Sequence, residues 1–268
     1  MITGISYDFC SGTQSHLCVV QDFSDELREI LRSELSKICH GANNATTSIS
    51  IYSYKATLIE FLKRYNNKKN ETKIGMIGEL LSHILIFHYL PDIRPASPFF
   101  NMEEASIKKG FDLIAINAKD SSYWITEVKS GEIGKSNKVQ KVRTLIDLAI
   151  SDLKKRLPDT DSTIWISAIN NVGVSLSAGD PEKEILQKYL NDFWEENQIK
   201  ENVLKKTNAI LVPVLIENTK DPVEFSTVTD KNIKILKKPP FNKHIVFAIQ
   251  KSTISKIEQF LTSEAIQQ

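Results

Sequence analysis

Three charged residues lie inside two apolar segments, where charge is costly. Asp112 sits in 111–117 (FDLIAIN), and Glu127 and Lys129 sit in 123–129 (YWITEVK). Both faces of each segment are otherwise mostly apolar, the pattern of central strands covered on both sides. Strand periodicity puts Glu127 and Lys129 on one side in any register. The stretch from Ala118 to Ser122 has hairpin length. Pairing Asn117 with Tyr123 would set Asp112 opposite Val128. A shift of one residue sets it opposite Glu127 on the same side of the sheet; we prefer that register because it gathers the charges on one face, which is a choice between two open alternatives. Carboxylates held side by side repel each other and are costly to desolvate. A divalent, oxygen-seeking cation relieves both penalties. Lys129 cannot bind metal while charged, but it can donate to an anion or steady developing charge. Metal, scissile phosphate and an activated water form a consistent set for such a trio. The plainer alternative is a structural ion pair between Lys129 and a carboxylate.

The elements that must hold these residues follow from periodicity. A helix is expected over about 74–90, mostly apolar, with Gly75, Gly78, Glu79, Ser82 and His83 on one stripe at spacings of three and four. Small and polar residues on an apolar helix suggest close packing beside a site, with Glu79 pointing in; His83 reads as a packed residue rather than a base. After the hairpin, Val139, Val142, Leu145, Ile146, Ala149, Ile150 and Leu153 give an amphipathic helix over about 137–157. Strands are then expected at 164–169 (IWISAI), 209–216 and 244–250, with helices over about 182–205 and 253–264. Strand, long helix, strand implies a parallel pair, so the sheet is mixed. Upstream, a short strand region precedes a helix from Asp25 to His40, with Ser24 as N-cap and Gly41 as stop, and a second helix from Lys55 to Tyr65. The turn-forming run Asn66 to Asn70 suggests a boundary. The expected organisation is thus an N-terminal addition, residues 1–65, for docking or packing, and a catalytic domain over 66–268. Trp165 and Trp194 read as packing aromatics.

Composition excludes several classes. The chain has 268 residues, is 41% hydrophobic and 25% charged, and balances 34 Lys+Arg against 33 Asp+Glu. It is therefore neither a disordered chain nor a fibre, and bulk charge names no partner. Any nucleic-acid surface must come from local clusters. Lys135, Lys138, Lys141 and Arg143 follow the hairpin, and Lys231, Lys234, Lys237, Lys238 and Lys243 form a second run, read more readily as a solvated loop than as a contact. Ser130 reads as a turn residue and a candidate phosphate contact. Cys10, Cys18 and Cys39 have no metal-ligand spacing, and their odd number fits a reducing compartment. The N-terminus has no basic and apolar leader and the apolar stretch from Ile74 to Leu90 is broken by polar residues, so a cytoplasmic protein without a membrane span is expected.

Glu79 on a helix, Asp112 on one strand and Glu127-Val128-Lys129 on the next resemble the PD-(D/E)xK nuclease superfamily over about residues 74–170. That resemblance implies a restriction-endonuclease-like αβββαβ core, α/β in class, and a Mg²⁺- or Mn²⁺-dependent phosphodiesterase. Asp112, Glu127 and the Val128 carbonyl would ligate metal, Glu79 would ligate through water or orient the site, and Lys129 would position or deprotonate the attacking water. More narrowly, GELLSHIL, KKGFDLIAI and WITEVKSG look like the HamA nuclease subunit of the bacterial Hachiman anti-phage defence system, which implies DNA as substrate and a superfamily 2 helicase partner (HamB-like). Phe111 stands where the superfamily often has proline, and Thr144, four residues after Gln140, breaks the Q-x-x-x-Y pattern of RecB-like branches. A degenerate nuclease fold that binds DNA or a helicase without cutting, and a ribonuclease, are the rival readings. The chain has no G-x-x-x-x-G-K-[ST] loop, so any motor must come from a partner.

Overall fold

A computed structural model of the chain describes residues 1–98, 111–159, 162–177, 179–198, 203–252 and 254–267. It opens with a hairpin, β1 (Ile5–Cys10) and β2 (Ser15–Val20), followed by α1 (Asp25–His40), the single turn α2 (Ala42–Ala45) and α3 (Tyr54–Asn66). Helix α4 (Asn70–Tyr89) leads to β3 (Ile93–Pro95), β4 (Leu113–Asn117) and β5 (Tyr123–Glu132). Three helices follow, α5 (Lys138–Arg156), α6 (Ser162–Ser175) and α7 (Pro181–Gln198). The chain ends with β6 (Asn208–Ile216), α8 (Phe225–Leu236), β7 (Lys243–Lys251) and α9 (Ser255–Gln267).

Among the described residues the strands form one mixed sheet in the order β1-β2-β7-β6-β5-β4-β3. The pairs β1/β2, β3/β4 and β4/β5 are antiparallel, and β2/β7, β5/β6 and β6/β7 are parallel. Read along the chain, α4, β3, β4, β5, α5 and β6 make the αβββαβ unit expected from sequence. The parallel partner of β5 is β6, however, and not the segment 164–169. That segment lies inside α6, with Ile164, Trp165, Ala168 and Val172 buried at helical spacing. A short apolar run looks the same to a strand or a buried helix, and only its continuation separates them. The helix expected over 182–205 closes at Gln198, with residues 199–202 outside the description. Lys231 and Lys234 belong to α8 rather than to a loop.

Alternation along the strands divides the core in two. Leu113, Ala115, Trp124, Val128, Ile210 and Val212 face a cluster shared with α1, α3, α4 and α9. Ile114, Ile116, Ile125, Ala209 and Leu211 face a second cluster shared with α5, α6, α7 and α8. Local signals set the helix ends as read: the Ser24 hydroxyl accepts from the Leu27 N–H, and the Gly41 N–H donates to the Lys37 carbonyl with φ +81°. The N-terminal 65 residues supply two strands of this same sheet, because β2 runs parallel to β7.

Candidate active site

The β4–β5 register decides where the charges meet. Leu113 pairs with Thr126 and Ile116 with Tyr123, so the ladder extended by one residue brings Asp112 opposite Glu127. This is the shifted register of the two left open above. Asp112 precedes the first paired residue of β4 and is fixed by its own side chain, whose Oδ2 accepts the Val128 N–H at 2.7 Å. Phe111 anchors the approach edge-on against Trp165, with ring centroids 5.3 Å apart. An aromatic in the place of proline therefore supports the strand start by packing.

Glu127 is fully buried at the centre of the group. Its Oε1 accepts from Lys129 Nζ at 2.6 Å and its Oε2 from Arg156 Nη1 at 3.1 Å. The same guanidinium nitrogen lies 3.9 Å from Asp112 Oδ1. Lys129 Nζ is shared with Asp152 Oδ2 at 2.8 Å. Asp152 and Arg156 stand one turn apart on α5, whose apolar stripe packs on the Glu127 side of the sheet. Sequence reasoning missed both residues.

Burial, reinforced by the Asp112 charge, pushes the Glu127 carboxyl up to about 7 against the pull of Arg156 and Lys129. Burial also works against charge on Lys129, but Glu127, Asp152 and Asp112 outweigh it and raise the amine. Asp152 is held below the usual carboxylate range, since Lys129, Arg156 and Lys155 overcome its desolvation.

The other candidates divide by face. Glu79 is half-buried on α4, which packs on the opposite side of the sheet. Among the described residues no group of three or more His, Cys, Asp or Glu is placed to hold a metal ion. The stripe beside Glu79 serves close packing: a Cβ on Gly78 would overlap the Ser130 hydroxyl and lie 3.0 Å from its Cβ. The Ser130 hydroxyl is accordingly buried against α4, away from the carboxylates. His83 is buried and meets Phe87 edge-on, as a packed helix residue. Lys141 reaches over Gly131, two residues beyond Lys129, with its Nζ 2.9 Å from where a Gly131 Cβ would sit. Lys138 is committed to Asp221, and Lys135 is exposed in the turn before α5. Lys231 pairs with Asp147, and Lys243 lies 3.6 Å from Asp120.

Whether the pair suits a divalent cation follows from the donors present. Magnesium keeps several waters and commonly takes one or two protein carboxylates, which is what Asp112 and Glu127 offer. The guanidinium between them already occupies a cation's place. The donor set therefore fits Mg²⁺ or Mn²⁺.

Among the described residues no helix is long and apolar enough to cross a membrane. No curated protein matches the chain. A family model, HamA, matches residues 5–264, nearly the whole sequence, and spans every strand of the sheet and the carboxylate pair. The chain belongs to the HamA family, a component of the Hachiman anti-phage defence system.

Proposed function

We propose that the chain is the metal-dependent nuclease of its defence system, cutting DNA in concert with a helicase. The observation that carries this reading is the register that sets Asp112 opposite Glu127 with Lys129 two residues on, at the hairpin of an αβββαβ unit. In this reading Asp112 and Glu127, with the Val128 carbonyl, hold the cation; a role for Glu79, on α4 across the sheet, rests on the family resemblance alone. When bound, the ion supplies charge neutralisation at the scissile phosphate and a more acidic water. Lys129 orients that water and steadies the negative charge that builds on the phosphoryl oxygens. Its raised amine stays protonated at neutral pH, which favours the electrostatic role over that of a base. Lys135 and Lys141, beside β5, line the approach for a phosphate backbone, with Lys138 joining them when it leaves Asp221.

A phage challenge of cells carrying the intact system tests this. Wild type should protect and cause DNA breakage on infection, whereas Glu127→Gln should lose both. Protection with intact DNA but degraded RNA would replace DNA by RNA as the substrate. One observation favours a second reading, a nuclease fold that grips without cutting: both Glu127 oxygens are already paired by the chain's own cations. Undiminished protection by Glu127→Gln and Lys129→Ala would establish it.

A further inference from the structure

Five side chains form a line of alternating charge, Asp112, Arg156, Glu127, Lys129 and Asp152. Its second member, Arg156, stands between the two carboxylates. The space that a divalent ion would share between Asp112 and Glu127 is taken by Arg156 Nη1, 3.9 Å and 3.1 Å from their nearest oxygens. A guanidinium and a divalent cation cannot stand there together, because their like charges would repel in a site where Glu127 is fully buried. Arg156 is also the last residue of α5, and its side chain is about a third exposed. It can therefore swing outward without unpacking the helix. Lys129 is tethered on its far side by Asp152, so it does not need to follow.

We propose that Arg156 is a resident cation that keeps the carboxylate pair closed, and that a divalent ion enters by displacing its guanidinium. The inference rests on the nuclease reading above and adds to it a restraint built into the chain itself. The displaced guanidinium emerges at the mouth of the site, where its planar fork suits a phosphate group. Metal loading and nucleic-acid binding should then help each other, since each favours the outward arginine.

Mn²⁺ binding measured by electron paramagnetic resonance tests this on the whole chain without any cleavage step. Arg156→Gln should bind Mn²⁺ about tenfold more tightly or better, as expected when a unit charge touching the ion's place is removed. Arg156→Lys, which restores the charge, should return toward wild type. If Arg156→Gln does not fold, phenylglyoxal labelling of the wild type with peptide mapping reads the same event: Mn²⁺ should make Arg156 more reactive. Equal Mn²⁺ affinity in wild type and Arg156→Gln, or labelling of Arg156 that metal leaves unchanged, would overturn the proposal while leaving the nuclease reading in place. Absence of Mn²⁺ binding in wild type and both variants would overturn the metal site and the nuclease reading with it.

Discussion

Glu127 shows how one side chain can be costly and useful together. A fully buried carboxylate beside a second one is tolerable only because two cations converge on it, and even so burial lifts its carboxyl from 4.5 to about 7. The consequence for stability has a definite sign. Between those values the folded chain holds a proton that the unfolded chain has lost, so folding is favoured at low pH and this contribution is lost as pH rises through about 7. Without metal, the melting temperature of wild type relative to Glu127→Gln should therefore fall from pH 5 to pH 8, in a series of thermal melts. Saturating Mn²⁺ should cancel or reverse that trend, because the ion binds the ionised form. A metal-free difference that stays flat would mean that Glu127 titrates normally. Lys129→Ala leaves both Glu127 and Asp152 short of a partner. It should cost about 2–4 kcal/mol in urea unfolding, somewhat under the usual loss for a broken buried pair, as Arg156 remains.

The elements reveal why some of this was legible and some was not. Asp112, Glu127 and Lys129 stood out because a charge in an apolar strand can be judged against its immediate neighbours. Asp152 and Arg156 gave no such signal: on α5 they are polar residues of an amphipathic helix, and Lys154 and Lys155 beside Arg156 look equally solvated. Only the packing of α5 on β5 separates the two kinds. Helix α8 was hidden by Thr227, Val228, Thr229, Ile233 and Ile235, β-branched residues with weak helical preference. Its place is set by tertiary contacts, with Val228 and Ile235 in the core and Asn232 Nδ2 donating to the Thr13 carbonyl at 2.6 Å. Strand β3 has three residues, too few for any periodicity. The stripe on α4 was legible as a close approach, though the partner it meets is Ser130. Gly78→Ala should consequently lower stability by about 1–3 kcal/mol, as overpacking does, and Ser130→Gly in the same chain should recover part of it in thermal melts. No loss on Gly78→Ala would mean that α4 and β5 can separate freely. Asn137 caps α5 by accepting the Gln140 N–H at 2.8 Å, so Asn137→Ala should cost about 1 kcal/mol in the same assay.

At the scale of the molecule, one sheet ties the ends of the chain to the site. The β1–β2 hairpin is bound through β7 and β6 to β5, so the N-terminal strands support the β4–β5 ladder through two intervening strands. Removing residues 1–20 should therefore abolish folding rather than release a smaller folded core, which circular dichroism of the truncated chain would check. Metal that binds only the folded state should also stabilise it, by about 2.7 kcal/mol at a hundredfold excess over Kd. Asp112→Asn should lose most of that shift. Charge is balanced over the whole chain, which leaves little bulk attraction for a polyanion, so loading onto DNA is the task we assign to the helicase.

The central claim is that Asp112, Glu127 and Lys129 form one metal-dependent phosphodiester-cutting site. Plasmid cleavage by the purified chain with the proposed helicase partner and ATP, with Mg²⁺ against a chelator, tests it most directly. Cutting that requires Mg²⁺ and disappears in Asp112→Asn, Glu127→Gln and Lys129→Ala, each shown to be folded, is the result expected. Cutting that persists in any folded variant of the three, or that proceeds with the metal removed, would contradict it.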